Sequence, residues 1–171
     1  MMLTLPILLI SLTVLHDDPD ALVAYPLRES DVSKEKLHAQ LGPSIVLDRP
    51  IEFVPDRQGG GAELTEQDLL IIADDYAVVK ELLPVREMTV SAWLSVVQPR
   101  EWGGVLGCIQ DNNDAETGWV LGYDNRQFTF GLATEGADDG NGLMTYVKGG
   151  TPYVEGRMYH VAGTYDGEVA R

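Results

Sequence analysis

Cysteine, histidine and basic residues are scarce in this chain, and each shortage closes off a class of function. There is one cysteine, Cys108, in 171 residues. No disulfide can form within the chain, and no cysteine-rich zinc site can be assembled. The three histidines, His16, His38 and His160, stand far apart. His160 sits next to Val161 and alternates with Ala162 in a strand pattern, where a lone histidine reads as a hydrogen-bonded structural residue rather than a ligand or base. Twelve Lys and Arg against 27 Asp and Glu give a formal net charge of −15. That excludes a nucleic-acid partner, which needs clustered cations, and it repels anionic membrane surfaces. The same charge keeps the protein soluble and draws cations toward it. No apolar run reaches the ~20 residues of a membrane-spanning helix. No nucleophile-elbow pattern is present, so Ser/His catalysis has no support.

What is present is the composition of one globular domain. The chain is 44% hydrophobic and 23% charged, with 18 Gly and nine Pro, which suits many turns and short strands. The apolar run Leu3–Leu15 has the length of a signal-peptide core and ends sharply at His16-Asp17-Asp18-Pro19-Asp20. Residues 1–18 are therefore read as an export signal, and 19–171 as the folded module. No Lys or Arg precedes the run, and a buried first strand or helix is the alternative. Cys108, beside Val105, Leu106 and Ile109, is expected to be buried as a small hydrophobe.

Strand patterns recur along the rest of the chain. Ala21–Leu27, Ser44–Leu47, Ile51–Val54 and Asp68–Ala73 are short candidates, Arg28–Lys36 reads as a charged loop, and Asp75–Leu82 has the spacing of a short helix. The glycine cluster Gln58-Gly59-Gly60-Gly61 continues into Ala62-Glu63 instead of Lys-Ser/Thr, so it is a loop and not a phosphate cradle. Met88–Val97 alternates cleanly, with Val90, Ala92, Leu94 and Val96 on one face and Thr89, Ser91, Trp93 and Ser95 on the other. Gly103–Ile109 follows as a further strand. Gly118–Tyr123 and Gln127–Leu132 predict a hairpin across Asp124-Asn125-Arg126. Leu143–Val147 and Tyr159–Tyr165 complete the set, the last running into an Asp166-Gly167 turn. Short strands, regular turns and no long helix predict an all-β, antiparallel β-sandwich.

Three segments carry a family resemblance: Met88-Thr89-Val90-Ser91-Ala92-Trp93-Leu94, Gly118-Trp119-Val120-Leu121-Gly122-Tyr123, and Tyr159-His160-Val161-Ala162-Gly163-Thr164-Tyr165-Asp166-Gly167. In this order they resemble the laminin-G-like jelly-roll module of the concanavalin A-like lectin/glucanase superfamily. Leu22–Leu27 also looks like the first strand of such modules. The resemblance implies a concanavalin A-like jelly roll, and further strands after the closing turn. The module is thus expected to be incomplete at its carboxy terminus, with the missing strands starting at Glu168. It also implies an accessory role: an exported, non-catalytic module binding carbohydrate or another extracellular ligand. The alternative is the amino-terminal accessory domain of a secreted hydrolase, such as a metallophosphoesterase or sulfatase, with a catalytic domain beyond Arg171.

Residue chemistry narrows the possibilities. The glucanase branch of the resembled superfamily places Glu-x-Asp-x-x-Glu on one strand. Glu66-Gln67-Asp68 begins that pattern, but Ile71 stands in the last position, so hydrolysis by this module is not expected. Calcium needs six to eight oxygen ligands, and some resembled relatives use it. Asp111, Asn112, Asn113, Asp114 and Glu116 form the densest oxygen cluster, Asp138, Asp139 and Asn141 a second, and Asp74-Asp75 a third. Calcium is therefore a possible cofactor, against the alternative of solvated loops rich in turn formers. Sugar sites stack a pyranose on an aromatic ring and hydrogen-bond its hydroxyls. Trp102, Tyr123, Tyr146 and Tyr153 lie at or near turns and are the candidate ligand-binding residues. Trp93 is read as a packing residue.

Overall fold

The computed structural model describes residues 8–11, 21–55, 61–65, 67–73, 83–84, 86–110, 116–133 and 141–171. In chain order the strands are β1 (Leu8–Ser11), β2 (Val32–Ser33), β3 (Lys36–Leu37), β4 (Ile45–Val46), β5 (Glu52–Val54), β6 (Gly61–Leu64), β7 (Met88–Val96), β8 (Trp102–Gln110), β9 (Thr117–Asp124), β10 (Phe128–Ala133), β11 (Thr145–Lys148) and β12 (Tyr159–Tyr165). One 3-10 turn covers Glu29–Asp31, and no α-helix occurs among the described residues. The fold is an all-β, antiparallel β-sandwich, as the strand pattern predicts. The expected helix over 75–82 lies outside the described residues.

The chain divides into two compact units, residues 1–84 with 92–98, and residues 85–91 with 99–171. In the first unit, β5, β6, β1 and β7 are successive neighbours. Leu8, Leu9 and Ile10 pair with Leu64, Glu63 and Ala62 on one side and with Val96, Ser95 and Leu94 on the other. Four residues of the amino-terminal apolar run therefore form an internal strand. A separate three-stranded sheet, β2–β3–β4, completes this unit. Ala62, Leu94, Val96, Leu37 and Ile45 belong to its core.

Several local expectations fail here for identifiable reasons. Ala21–Leu27 makes one isolated bridge, Ala24 to Leu41, instead of a strand. Pro26 has no amide to donate, and Leu27 sits at φ 56, off the extended path. Asp68–Ala73 is also not a strand. The Asp68 carboxylate accepts from the Thr65 amide at 2.8 Å and its hydroxyl at 2.7 Å, closing a turn, and Leu69 and Ile71 are exposed. The glycine cluster is not loop throughout: its last residue, Gly61, opens strand β6, where Gly61, Ala62 and Leu64 are buried, and residues 58–60 lie outside the described residues. Arg28–Lys36 holds the β2–β3 hairpin, whose corners, Lys34 and Glu35, both adopt positive φ. Neither residue advertises a turn, since Asn and Gly are the usual occupants. His38, too isolated in sequence to interpret, meets the Ser33 hydroxyl at 2.8 Å through Nε2 and the Ser44 hydroxyl at 3.2 Å through Nδ1. With both ring nitrogens facing hydroxyls, it clamps the hairpin.

The second unit contains the sheet β11–β10–β9–β8, the start of β7, and β12 beside β7. The predicted hairpin forms in the expected register, with Tyr123 opposite Phe128 and Leu121 opposite Phe130. Asp124 closes it by accepting from the Arg126 and Gln127 amides, each at 2.8 Å. On β7 the alternation holds: Val90, Ala92, Leu94 and Val96 are all buried. The closing turn is longer than the two residues expected. Tyr165 bridges Ala170, so the loop is Asp166–Val169, and the Asp166 carboxylate satisfies the amides of Glu168 and Val169. Thr164 and Arg171 then exchange both backbone hydrogen bonds, which makes Ala170-Arg171 a return segment. Cys108 is exposed on β8, contrary to the buried reading, because β8 is the last strand of its sheet among the described residues.

Sheet-on-sheet packing inside this unit turns on Gly163 of β12. A Cβ there would fall 2.5 Å from the ring of Phe130, which is buried on β10. Real Cβ atoms do not approach so closely, and Phe130 sits in a filled core. Gly163→Ala is therefore expected to cost about 1–3 kcal/mol through overpacking, read as a lower midpoint in urea unfolding with an unchanged slope.

Candidate functional site

Cross-strand partners share a face of a sheet, so the register of β8–β11 sorts its residues into two sides. One side carries Tyr123, Leu121, Phe130 and Leu132, all buried. The other carries Trp102 opposite Asp124, then the row Gly104–Gly122–Thr129–Lys148, then the row Gly107–Val120–Gly131–Tyr146. A β-bulge between Gly104 and Leu106 keeps the two halves of β8 in step with this side.

Four glycines in those two rows leave the middle of this face low, and two rings lie across it. Trp102 and Tyr146 come from the first and last strands of the sheet, three strand spacings or ~14 Å apart by backbone. Their ring centroids are nevertheless 5.3 Å apart, at an interplanar angle of 45°. Gly131 makes this possible, because a Cβ there would lie 2.7 Å from the Tyr146 ring. Trp102 is 55% exposed and Tyr146 37%. An accessible aromatic pair on a shallow floor is the surface that a pyranose stacks upon.

Polar groups flank the rings. The Lys148 ammonium donates to Asp124 Oδ2 at 2.8 Å and stands 5.6 Å from the Trp102 ring centroid. Asp124 Oδ1 is the acceptor for Arg126 and Gln127, so both carboxylate oxygens are engaged. The Lys148 hydrogen bond, aided by those two amides, lowers the Asp124 pKa to about 2 against the opposing effect of burial. Behind it, the Tyr153 hydroxyl donates to the Asp124 carbonyl at 2.6 Å.

The candidate residues thus separate. Trp102 and Tyr146 are brought together on the accessible face. Tyr123 and Tyr153 are buried, packed edge to face at 6.2 Å, with Tyr153 also against Phe128 at 5.2 Å. Their rings brace the Asp124 turn instead of facing solvent. The alternation that puts Tyr123 on the same side as Leu121 already carries that information. Trp93 is half-buried on β7. Asp111, Asn113, Asp114, Asp138 and Asp139 lie outside the described residues, as do Asn112, Asp74 and Asp75. Glu116 accepts from the Met144 amide at 2.6 Å, and Asn141 from the Leu143 amide at 2.7 Å. No group of three or more metal-ligating side chains occurs among the described residues. Sequence reasoning missed Lys148 and Asp124 as parts of the site. The period-2 relation of Lys148 to Tyr146 was the available signal.

These ionisations give stability two pH limits. Asp124 titrates below its ordinary 3.8, so its stabilising contribution is complete above about pH 4 and is lost as pH falls toward 2. Burial pushes Tyr25 and Tyr153 up to about 12. Their contribution is complete below about pH 10 and is lost as pH rises toward 12. Thermal midpoints measured across pH should fall on both sides of a plateau, and Asp124→Asn should flatten the acid limb.

Comparison with known proteins bears on the same region. No curated protein and no solved structure matches the chain. A laminin-G family model, described as the concanavalin A-like lectin/glucanases superfamily, matches residues 72–171. The match runs from before β7 to Arg171 and includes the whole β8–β11 sheet. It spans more than half of the chain, on an antiparallel β-sandwich: this protein belongs to the concanavalin A-like lectin/glucanases superfamily.

Proposed function

We propose that this protein is an exported, non-catalytic recognition module that binds carbohydrate through the Trp102–Tyr146 face. Modules of this superfamily are commonly ligand-binding, which supports the general role. One observation carries the specific reading: two rings from opposite edges of a sheet meet over a glycine floor, and one of them is 55% exposed. A protein with no use for that ring would gain by covering it, since exposed apolar area is unfavourable in water. The Lys148 ammonium lies over the Trp102 ring and is held by Asp124, and this pair supplies polar partners for the hydroxyls of a stacked pyranose.

Export rests on the Leu3–Leu15 run. Four residues of that run pair with β6 and β7, so cleavage would also remove β1 from its sheet. Fusing residues 1–24 to a periplasmic reporter should yield exported activity, and a reporter retained in the cytoplasm rejects this part of the reading. No helix among the described residues is long and apolar enough to cross a membrane.

Because Trp102 is 55% exposed but packs on Tyr146, Trp102→Ala should lower stability by only about 1 kcal/mol. It should weaken glycan binding at least about tenfold, or about 1.4 kcal/mol. Glycan-array screening, followed by calorimetric titration of the best hit with both proteins, tests this. Equal affinity for the two would remove Trp102 from the site.

A further inference from the structure

We propose that the corner formed by Trp102, Tyr146 and Asp124 selects an ammonium-bearing saccharide, and that Lys148 is the protein's own occupant of the ammonium position. This inference rests on the carbohydrate reading and specifies the charge of the ligand.

The Lys148 ammonium already shows what the corner holds. It is seated 2.8 Å from a carboxylate oxygen and 5.6 Å from the centroid of an indole ring. A carboxylate beside an aromatic face favours a cation twice over, by charge-assisted hydrogen bonding and by attraction to the ring quadrupole. The Asp124 side chain is 13% exposed, whereas that of Lys148 is 49% exposed. The anion is fixed in the fold and the cation is tethered by a flexible stem. Oδ1 is committed to two backbone amides, and Oδ2 faces Lys148. An incoming amine can share or take over that single interaction without disturbing the hairpin. An ion pair with one partner this exposed is weakly held, so displacement is cheap.

The surrounding field points the same way. The second unit carries twelve acidic and six basic residues, and such a field raises the local concentration of cations. An anionic sugar would be repelled, and the cation on the platform is already paired with Asp124. A neutral sugar stacks equally well on Trp102 and can offer a hydroxyl to Oδ2, but it draws nothing from the field and forms no ammonium–carboxylate bond. An amino sugar uses the ring, the carboxylate and the field together.

The test compares three oligosaccharides of equal length: a glucosamine oligomer, its N-acetylated neutral counterpart, and an anionic uronate oligomer. Each is titrated into the wild-type protein with tryptophan fluorescence as readout. The pH keeps the amine protonated and Asp124 ionised, and salt is varied from low to high. The glucosamine oligomer should bind at least about tenfold more tightly than its acetylated form at low salt, with the uronate weakest. Added salt should shrink that preference by screening. Lys148→Gln should widen the preference for the glucosamine oligomer over the acetylated one, because the variant leaves Oδ2 without its cation. Equal binding of the glucosamine and acetylated oligomers, or tightest binding of the uronate, overturns the charge assignment while the carbohydrate reading stands. Binding of none of the three overturns both. These wild-type comparisons do not depend on the variant folding.

Discussion

The second unit depends on aromatic rings lying directly against backbone that has no Cβ. Phe130 and Gly131 are consecutive on β10 and point to opposite sides of the sheet. Phe130 goes inward onto Gly163 of β12, and Gly131 turns outward beneath Tyr146. One dipeptide therefore fixes both the spacing of the core and the floor of the candidate site. A side chain at either glycine would collide with a ring at 2.5–2.7 Å. At close-packed density the Phe130 ring has nowhere to retreat without displacing neighbours, whereas the partly exposed Tyr146 ring would have to lift off the floor. This coupling follows from strand alternation, in which adjacent residues serve different surfaces.

Asp124 is the second point at which structure and site share atoms. Its carboxylate closes the β9–β10 hairpin through two amides and holds Lys148 over the Trp102 ring. Its carbonyl accepts from buried Tyr153, whose ring packs on Tyr123 and Phe128. A turn residue in a peptide would do only the first of these jobs. Here the core tyrosines set where the turn sits, and the turn sets where the ammonium sits. The depressed pKa of Asp124 records the same arrangement, since the fold supplies three donors to the ionised form before any ligand arrives.

Much of this fold was legible because period-2 patterns are strong where one face of a strand is buried. β7, β9, β10 and β12 were found at nearly their observed limits, and the all-β class followed. The failures lie where something other than periodicity decided the outcome. Leu27 takes a positive φ in a segment that looks extended, and Lys34 and Glu35 form hairpin corners without turn residues. The carboxylate of Asp68 diverts an apolar run into a turn. Of the site, composition marked four aromatic residues, but sequence proximity to turns could not tell a ring facing solvent from one facing the core. The face assignment of Tyr123 with Leu121 could, and it removes Tyr123 from the accessible side. The partnership of Trp102 with Tyr146 was beyond reach, because it joins residues 44 positions apart across a floor visible only once strand order is known.

The arrangement also separates what the protein needs for folding from what it offers to a ligand. Leu121 and Leu132, among the most deeply buried of the described side chains, lie on the opposite side of their sheet from the rings. Trp102 and the Lys148 ammonium add little burial, so either can change with small cost to stability. Asp124 cannot, because the hairpin amides use it. Variation in such a module is therefore free at the rings and at the tethered cation and constrained at the carboxylate. Under the binding mode proposed above, ligand shape would drift with residues 102 and 146, while a preference for positive charge would persist as long as the β9–β10 turn is built this way.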